Sequence, residues 1–151
     1  MMTIILSAVK AVILGFLTYL VWYDIKYKRV PNKILLVMLP FTALHLVLST
    51  IAYGWLVLLY GILGALFGGG LLLTSAMFTK GGIGGGDIKL AAVLGLATGL
   101  EGMIVLLISA CIGAMVYAMF CKYVLRMQFI RIAFVPFMTA GYILSVVCNF
   151  I

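Results

Sequence analysis

Apolar positions fill long stretches of this chain, and the polar ones gather in a few short segments. Six apolar stretches cover residues 4–23, 34–51, 55–78, 88–98, 103–124 and 133–150. A polar segment occupies 24–33, Tyr53-Gly54 makes a minimal turn, and a glycine-rich loop spans 80–87. Gly99-Leu100-Glu101-Gly102 makes another turn, and a basic segment holds Lys122, Arg126 and Arg131. One membrane crossing takes roughly 20 mostly apolar residues, so six would use about 120 and leave only short loops. The pattern predicts an all-α membrane protein, a bundle of six transmembrane helices, with residues 1–151 forming a single domain. The fourth stretch, 88–98, is short for a full crossing.

Composition supports a membrane setting. Hydrophobic residues make up 67% of the chain and charged ones 9%, against roughly 45–50% apolar and about 25% charged in soluble domains. Too few polar residues exist to cover a soluble core, and a lipid bilayer removes that need. The N-terminal stretch does not read as a cleaved leader. No Lys or Arg precedes it, Lys10 interrupts it, and Trp22-Tyr23-Asp24 is no small-residue cleavage site.

The net charge of +7 sets ten Lys and Arg against Asp24, Asp87 and Glu101. Topology explains this balance better than nucleic acid binding does, because cytoplasmic loops of membrane proteins collect Lys and Arg. If six helices alternate, the loops 24–33, 80–87 and 122–131 share one side. With Lys89 they carry nine of the ten basic residues, and only Lys10 lies toward the other side. The basic side is therefore expected to face the cytoplasm, with both termini outward. Cys111, Cys121 and Cys148 form no C-x-x-C pair, so neither a metal site nor a redox motif is expected, and no cofactor.

This topology brings Asp24 and Asp87 to one face and leaves Glu101 on the other. Two carboxyl groups sharing a water can hydrolyse a peptide bond, the ionised one as general base and the protonated one as general acid. Like charges a few ångströms apart cannot both ionise easily, so both states coexist. The simpler alternative is that each aspartate merely ends a helix, Asp87 at the positive end of the helix dipole and Asp24 paired with Lys28. The glycines favour a site. Five of the six residues 81–86 are Gly, more than a plain turn needs. The loop fits neither phosphate-binding fingerprint, and it ends in an aspartate that would repel phosphate. A loop that admits an extended peptide beside Asp87 fits better.

The segment from Asp24 to Asn32, ending Arg29-Val30-Pro31-Asn32, resembles the first aspartate motif of type IV prepilin peptidases. Gly84-Gly85-Gly86-Asp87-Ile88-Lys89-Leu90 is similar to their G-x-G-D motif. Ala133-Phe134-Val135-Pro136-Phe137 is similar to their C-terminal proline motif, with Ala133 and Val135 departing from the commoner Pro and Gly. The resemblance implies a six-helix aspartic endopeptidase that removes short basic leaders from prepilin-like proteins at the cytoplasmic membrane face. It implies Asp24 and Asp87 as the catalytic pair, and Pro31, Asn32, Gly84, Gly85, Gly86 and Lys89 as motif or substrate-binding support. It places the chain in the cytoplasmic membrane of a prokaryote, with a prepilin-like protein and the bilayer as partners. Family members that also methylate carry two C-x-x-C pairs, and three cysteines cannot supply those.

Other residues have plainer readings. His45 is expected to be structural. Gly64 with Gly68, and Gly95 with Gly99, are small-x-x-x-small pairs that permit close helix packing, within the chain or between copies in a homo-oligomer. Trp22, Tyr23 and Tyr27 suit an interfacial aromatic belt, and Pro31 suits a helix start. Lys89 can steer the charge of the pair or snorkel to the interface; the sequence leaves both open. Two other functions compete with the peptidase. A small cation- or proton-coupled transporter would hold its acids near mid-membrane, and a non-catalytic assembly subunit would use only the glycine pairs.

Overall fold

The computed structural model describes residues 2–78, 84–123 and 133–148. Within them the chain forms α1 (Met2–Tyr27), α2 (Asn32–Tyr53), α3 (Leu56–Phe78), α4 (Gly85–Tyr123) and α5 (Val135–Val147), with no strand among the described residues. The all-helical expectation holds, but five helices stand where six were expected. The stretches expected as the fourth and fifth helices run together as α4.

Gly99 explains the difference. Its φ of 67° and ψ of −177° are non-helical, a conformation open to glycine because it has no Cβ to clash. A methyl built on Gly68 of α3 would touch both the Ala91 carbonyl and the Met103 side chain. Those two residues would stand about 18 Å apart along a straight helix. Both can meet Gly68 only if α4 folds back at Gly99. The expected turn is present, compressed to a single residue, and the helical hydrogen bonding resumes so soon that the two limbs read as one element.

The described helices fit a bilayer in length and surface. α1, α2 and α3, with 26, 22 and 23 residues, extend about 39, 33 and 35 Å at about 1.5 Å per residue, enough to cross a hydrocarbon core of about 30 Å. These three and α4 are long and apolar enough to span a membrane, while α5 is shorter. Large apolar side chains point outward, among them Leu36, Leu66, Ile112 and Met115. A water-facing surface could not carry so many. The protein is a helical membrane protein.

Inside, the packing uses small residues. Gly64 and Gly95 lie backbone to backbone, and a Cβ on Gly64 would stand 2.6 Å from the Gly95 carbonyl oxygen and from the Gly99 carbonyl carbon. The glycine pairs therefore join α3 to α4 within one chain. Tetrahedral side chains would hold these backbones apart, and close approach lets dispersion contacts accumulate where no hydrophobic effect separates protein from lipid. Leu90, Leu94, Met103 and Leu106 of α4 belong to one continuous core with Ile13, Leu17 and Leu20 of α1, Met38 of α2, Leu72 of α3, and Val135, Met138 and Tyr142 of α5. His45 is buried on α2 with Nε2 lacking a hydrogen-bond partner among the described residues.

Candidate active site

Four helix ends meet at one end of the bundle. α1 runs four residues past its expected end, so Asp24 lies inside its last turns, not after them. The helix stops at Lys28, whose φ of 52° lies in the left-handed region and whose N–H donates to the Asp24 carbonyl at 2.7 Å. That bond satisfies a carbonyl at the helix end. The chain then leaves through Arg29 and Val30 to Pro31, which has φ −75° and ψ 124° and stands just before α2. The Pro31 carbonyl accepts from Ile34 N–H at 3.1 Å. Pro31 thus starts the second helix, as expected, and Asn32 is that helix's first residue.

The glycine-rich segment is less loop-like than expected. Gly85 and Gly86 belong to the first turn of α4, and Gly84 leads into it, its carbonyl accepting from Asp87 N–H at 3.0 Å. The rest of the expected loop, including Lys80, Gly81, Gly82 and Ile83, lies outside the described residues, as do Arg126 and Arg131. The three described glycines differ in what surrounds them. A Cβ on Gly86 would come within 2.6 Å of Val30 Cβ and 3.0 Å of the Val30 carbonyl oxygen. One on Gly84 would stand 3.2 Å from Asp87 Oδ2, and one on Gly85 would meet nothing within 4 Å. Gly86 thus lets the start of α4 press against the α1–α2 connection, which sets Asp87 beside it.

Two polar contacts tie this arrangement together. Lys89 Nζ donates to Asn32 Oδ1 at 3.2 Å, linking the first turns of α4 and α2. Neither reading of Lys89 from the sequence included this partner. At the start of α5, Val135 N–H donates to Asp24 Oδ2 at 3.2 Å. Asp24 is 5% exposed, so this bond lies away from competing water. The Asp87 carboxyl has a buried Oδ1 that finds no partner among the described residues.

Asp24 and Asp87 open on one cleft of about 330 Å³, lined also by Lys28, Arg29, Val30, Asn32, Gly84, Gly85, Gly86 and Lys89. Pro31 is not part of its wall. Of the eight site residues expected from the sequence, all but Pro31 line this one cleft. Val30 and Val135 stood within the matched motifs but had no role assigned from the sequence, because what each does depends on how closely it approaches Gly86 or Asp24 in the fold. The proline at 136, which needs no donor in a first helical turn, hinted at the start of α5 but not at what that start faces. Trp22 and Tyr27 flank Lys26, whose Nζ lies 5.1 and 5.3 Å from their ring centroids, a grouping suited to the membrane interface. No cluster of three or more metal-ligating side chains occurs among the described residues.

A cleft at helix ends with two carboxyl groups, rimmed by cations, suits acid–base chemistry on a neutral bond better than holding a cation in mid-membrane. Comparison with known proteins agrees with the motifs. The chain is 42% identical over 78 residues to the prepilin leader peptidase/N-methyltransferase of Bacillus subtilis (strain 168), a stretch covering 52% of this chain and 30% of that protein. The chain thus matches less than a third of that relative's length. No solved structure matches it. The type IV leader peptidase family matches residues 11–119, which include both aspartates and the whole α1–α2 connection, and the chain belongs to that family.

Proposed function

We propose that this protein is an aspartic endopeptidase that cleaves the short basic leader from prepilin-like proteins at the cytoplasmic face of a prokaryotic inner membrane. The observation that carries this reading is the cleft onto which Asp24 and Asp87 both open. In the proposed reaction one carboxylate takes a proton from a water held between them, and the other carboxyl donates one to the scissile carbonyl. The open Gly85 side and the exposed Gly84 leave room for an extended peptide beside Asp87. The substrate's apolar helix would lie against the lipid-facing helices, with its leader reaching the cleft. No metal or methyl donor takes part in this reading.

The proposed topology counts the two limbs of α4 separately and so has six crossings. The cleft end carries Lys26, Lys28, Arg29, Lys33, Lys89 and Lys122, and Lys10 lies toward the other end, which supports a cytoplasmic cleft. The test is cleavage of a purified prepilin-like substrate by the purified protein in a bilayer. Asp24→Asn and Asp87→Asn are each expected to abolish cleavage while the protein stays folded. The double variant should be no worse than either single one, because the pair acts as a unit. Substantial turnover by either single variant would remove that residue from the reaction.

A further inference from the structure

Asp24 and Asp87 share a cleft, but their surroundings differ in a way that separates their roles. Asp24 belongs to α1 and yet receives a backbone donor from α5, the Val135 N–H at 3.2 Å from Oδ2. The Phe134 amide also acts on this carboxylate. Both amides belong to the opening of α5, where N–H groups have no partner within the helix and the helix dipole presents its positive end. Pro136, the next residue, has no N–H of its own to offer, so the donors concentrate at the two positions facing Asp24. A hydrogen bond from N–H to a carboxylate is roughly twice as strong as one between neutral groups. Asp24 itself is only 5% exposed, so few waters compete for that bond.

Asp87 is served differently. The backbone amide that acts on its carboxyl is local, that of Gly84 just before its own helix. Its Oδ1 is buried with no partner among the described residues. An ionised oxygen left so is costly. A protonated one carries a donor that can turn to an incoming carbonyl. The remaining charges agree. Lys28, at the end of α1, acts on Asp24. Lys89, two residues after Asp87, is engaged by Asn32 at 3.2 Å. Arg29 lines the cleft wall, and α5 carries no charged side chain between Val135 and Val147.

Resting on the peptidase reading, we propose that the N-terminus of α5, through the Val135 N–H, is a positioning element that holds Asp24 as the general base and leaves Asp87 as the general acid. Asp24 takes a proton from water as the water oxygen bonds to the scissile carbon. Asp87 gives its proton to the carbonyl oxygen, forming a neutral tetrahedral diol. Asp24 then passes its proton to the leaving nitrogen as the C–N bond breaks, and Asp87 recovers the proton from a diol hydroxyl as the new carboxyl forms. Each group ends as it began, ready for the next substrate.

The chain contains two aspartates and no more, which makes a direct test practical. Protein labelled with ¹³Cγ-aspartate gives two carboxyl signals, assigned with Asp24→Asn and Asp87→Asn. As the pH is lowered from neutral, the Asp87 signal is expected to reach its carboxylic-acid shift before the Asp24 signal does. The reverse order, or the two signals moving together, would overturn the assignment. This measurement needs no turnover, so a protein that fails to cleave prepilins would sink the peptidase reading without deciding the NMR result. In a second arm Val135 is replaced by its α-hydroxy analogue, which removes one N–H and keeps the side chain. The Asp24 signal should move toward the acid shift, and kcat should fall about tenfold with KM unchanged, since such a bond to a charged group is worth about one to two factors of ten. An unmoved Asp24 signal in the folded ester variant would show that α5 does not position it. If that variant does not fold, the unmodified protein still decides which aspartate carries the proton.

Discussion

Substituting Gly86 by alanine tests how the site is held together. The added Cβ would stand 2.6 Å from Val30 Cβ, 3.0 Å from the Val30 carbonyl oxygen and 3.3 Å from Val30 Cα. Non-bonded carbons rest at about 3.5–4.0 Å, so α4 and the α1–α2 connection must separate by about 1 Å. Val30 cannot yield by turning a flexible side chain, because two of the three atoms belong to its backbone and the third is attached directly to it. Asp87 is the next residue and moves with Gly86. Overpacking of this kind costs about 1–3 kcal/mol, and a 1 Å displacement of a reacting group costs about 10²-fold in rate, equivalent to about 2.7 kcal/mol. Gly86→Ala should therefore lower kcat/KM for prepilin cleavage about 100-fold. Gly85→Ala, one residue earlier, meets nothing within 4 Å and should stay within about threefold. The assay is substrate cleavage in bilayers, followed by gel shift, with thermal unfolding of each variant alongside. Equal losses in the two variants would refute the steric argument and show that the glycines are needed for flexibility rather than for close approach.

The remaining predictions concern the supports around the pair. The Lys89–Asn32 hydrogen bond is exposed and 3.2 Å long, so Lys89→Met and Asn32→Ala should each reduce cleavage about fivefold, corresponding to about 1 kcal/mol. The double variant should add little to either, and fully additive losses in that cycle would mean the two residues act separately. Gly95→Ala sets a methyl against the Gly64 backbone and 2.6 Å from Ala65 N, which should destabilise the protein by about 1–3 kcal/mol. Gly15→Ala, with open space around it, should be neutral or stabilising by up to about 1 kcal/mol. Thermal unfolding in a mild detergent checks both, and an unchanged midpoint for Gly95→Ala would contradict the α3–α4 packing described above.

Much of this protein was legible in its sequence because a bilayer imposes a simple rule. Apolar stretches near 20 residues must be helices, since backbone groups in lipid have only one another to bond with, and this located α1, α2 and α3 to within a few residues. The motif spacing also brought Asp24, Asn32, Gly84–Gly86, Asp87 and Lys89 into one cavity, because helices of similar length that alternate in direction return their ends to the same face. The family followed from those same motifs.

What the sequence left undecided depends on backbone geometry, which no residue type announces. Gly99 could have opened a loop, and instead one positive-φ residue folds α4 back on itself. The two glycine pairs could have packed within the chain or between copies, and only the docking of α3 on α4 sets Gly64 against Gly95. Gly84, Gly85 and Gly86 are identical as letters, yet Val30 crowds only the last. The bond between Val135 N–H and Asp24 joins residues 111 positions apart. It comes from a main-chain amide that every residue but proline possesses, so its meaning arises only when the packing of α5 against α1 aims that amide at a buried carboxylate.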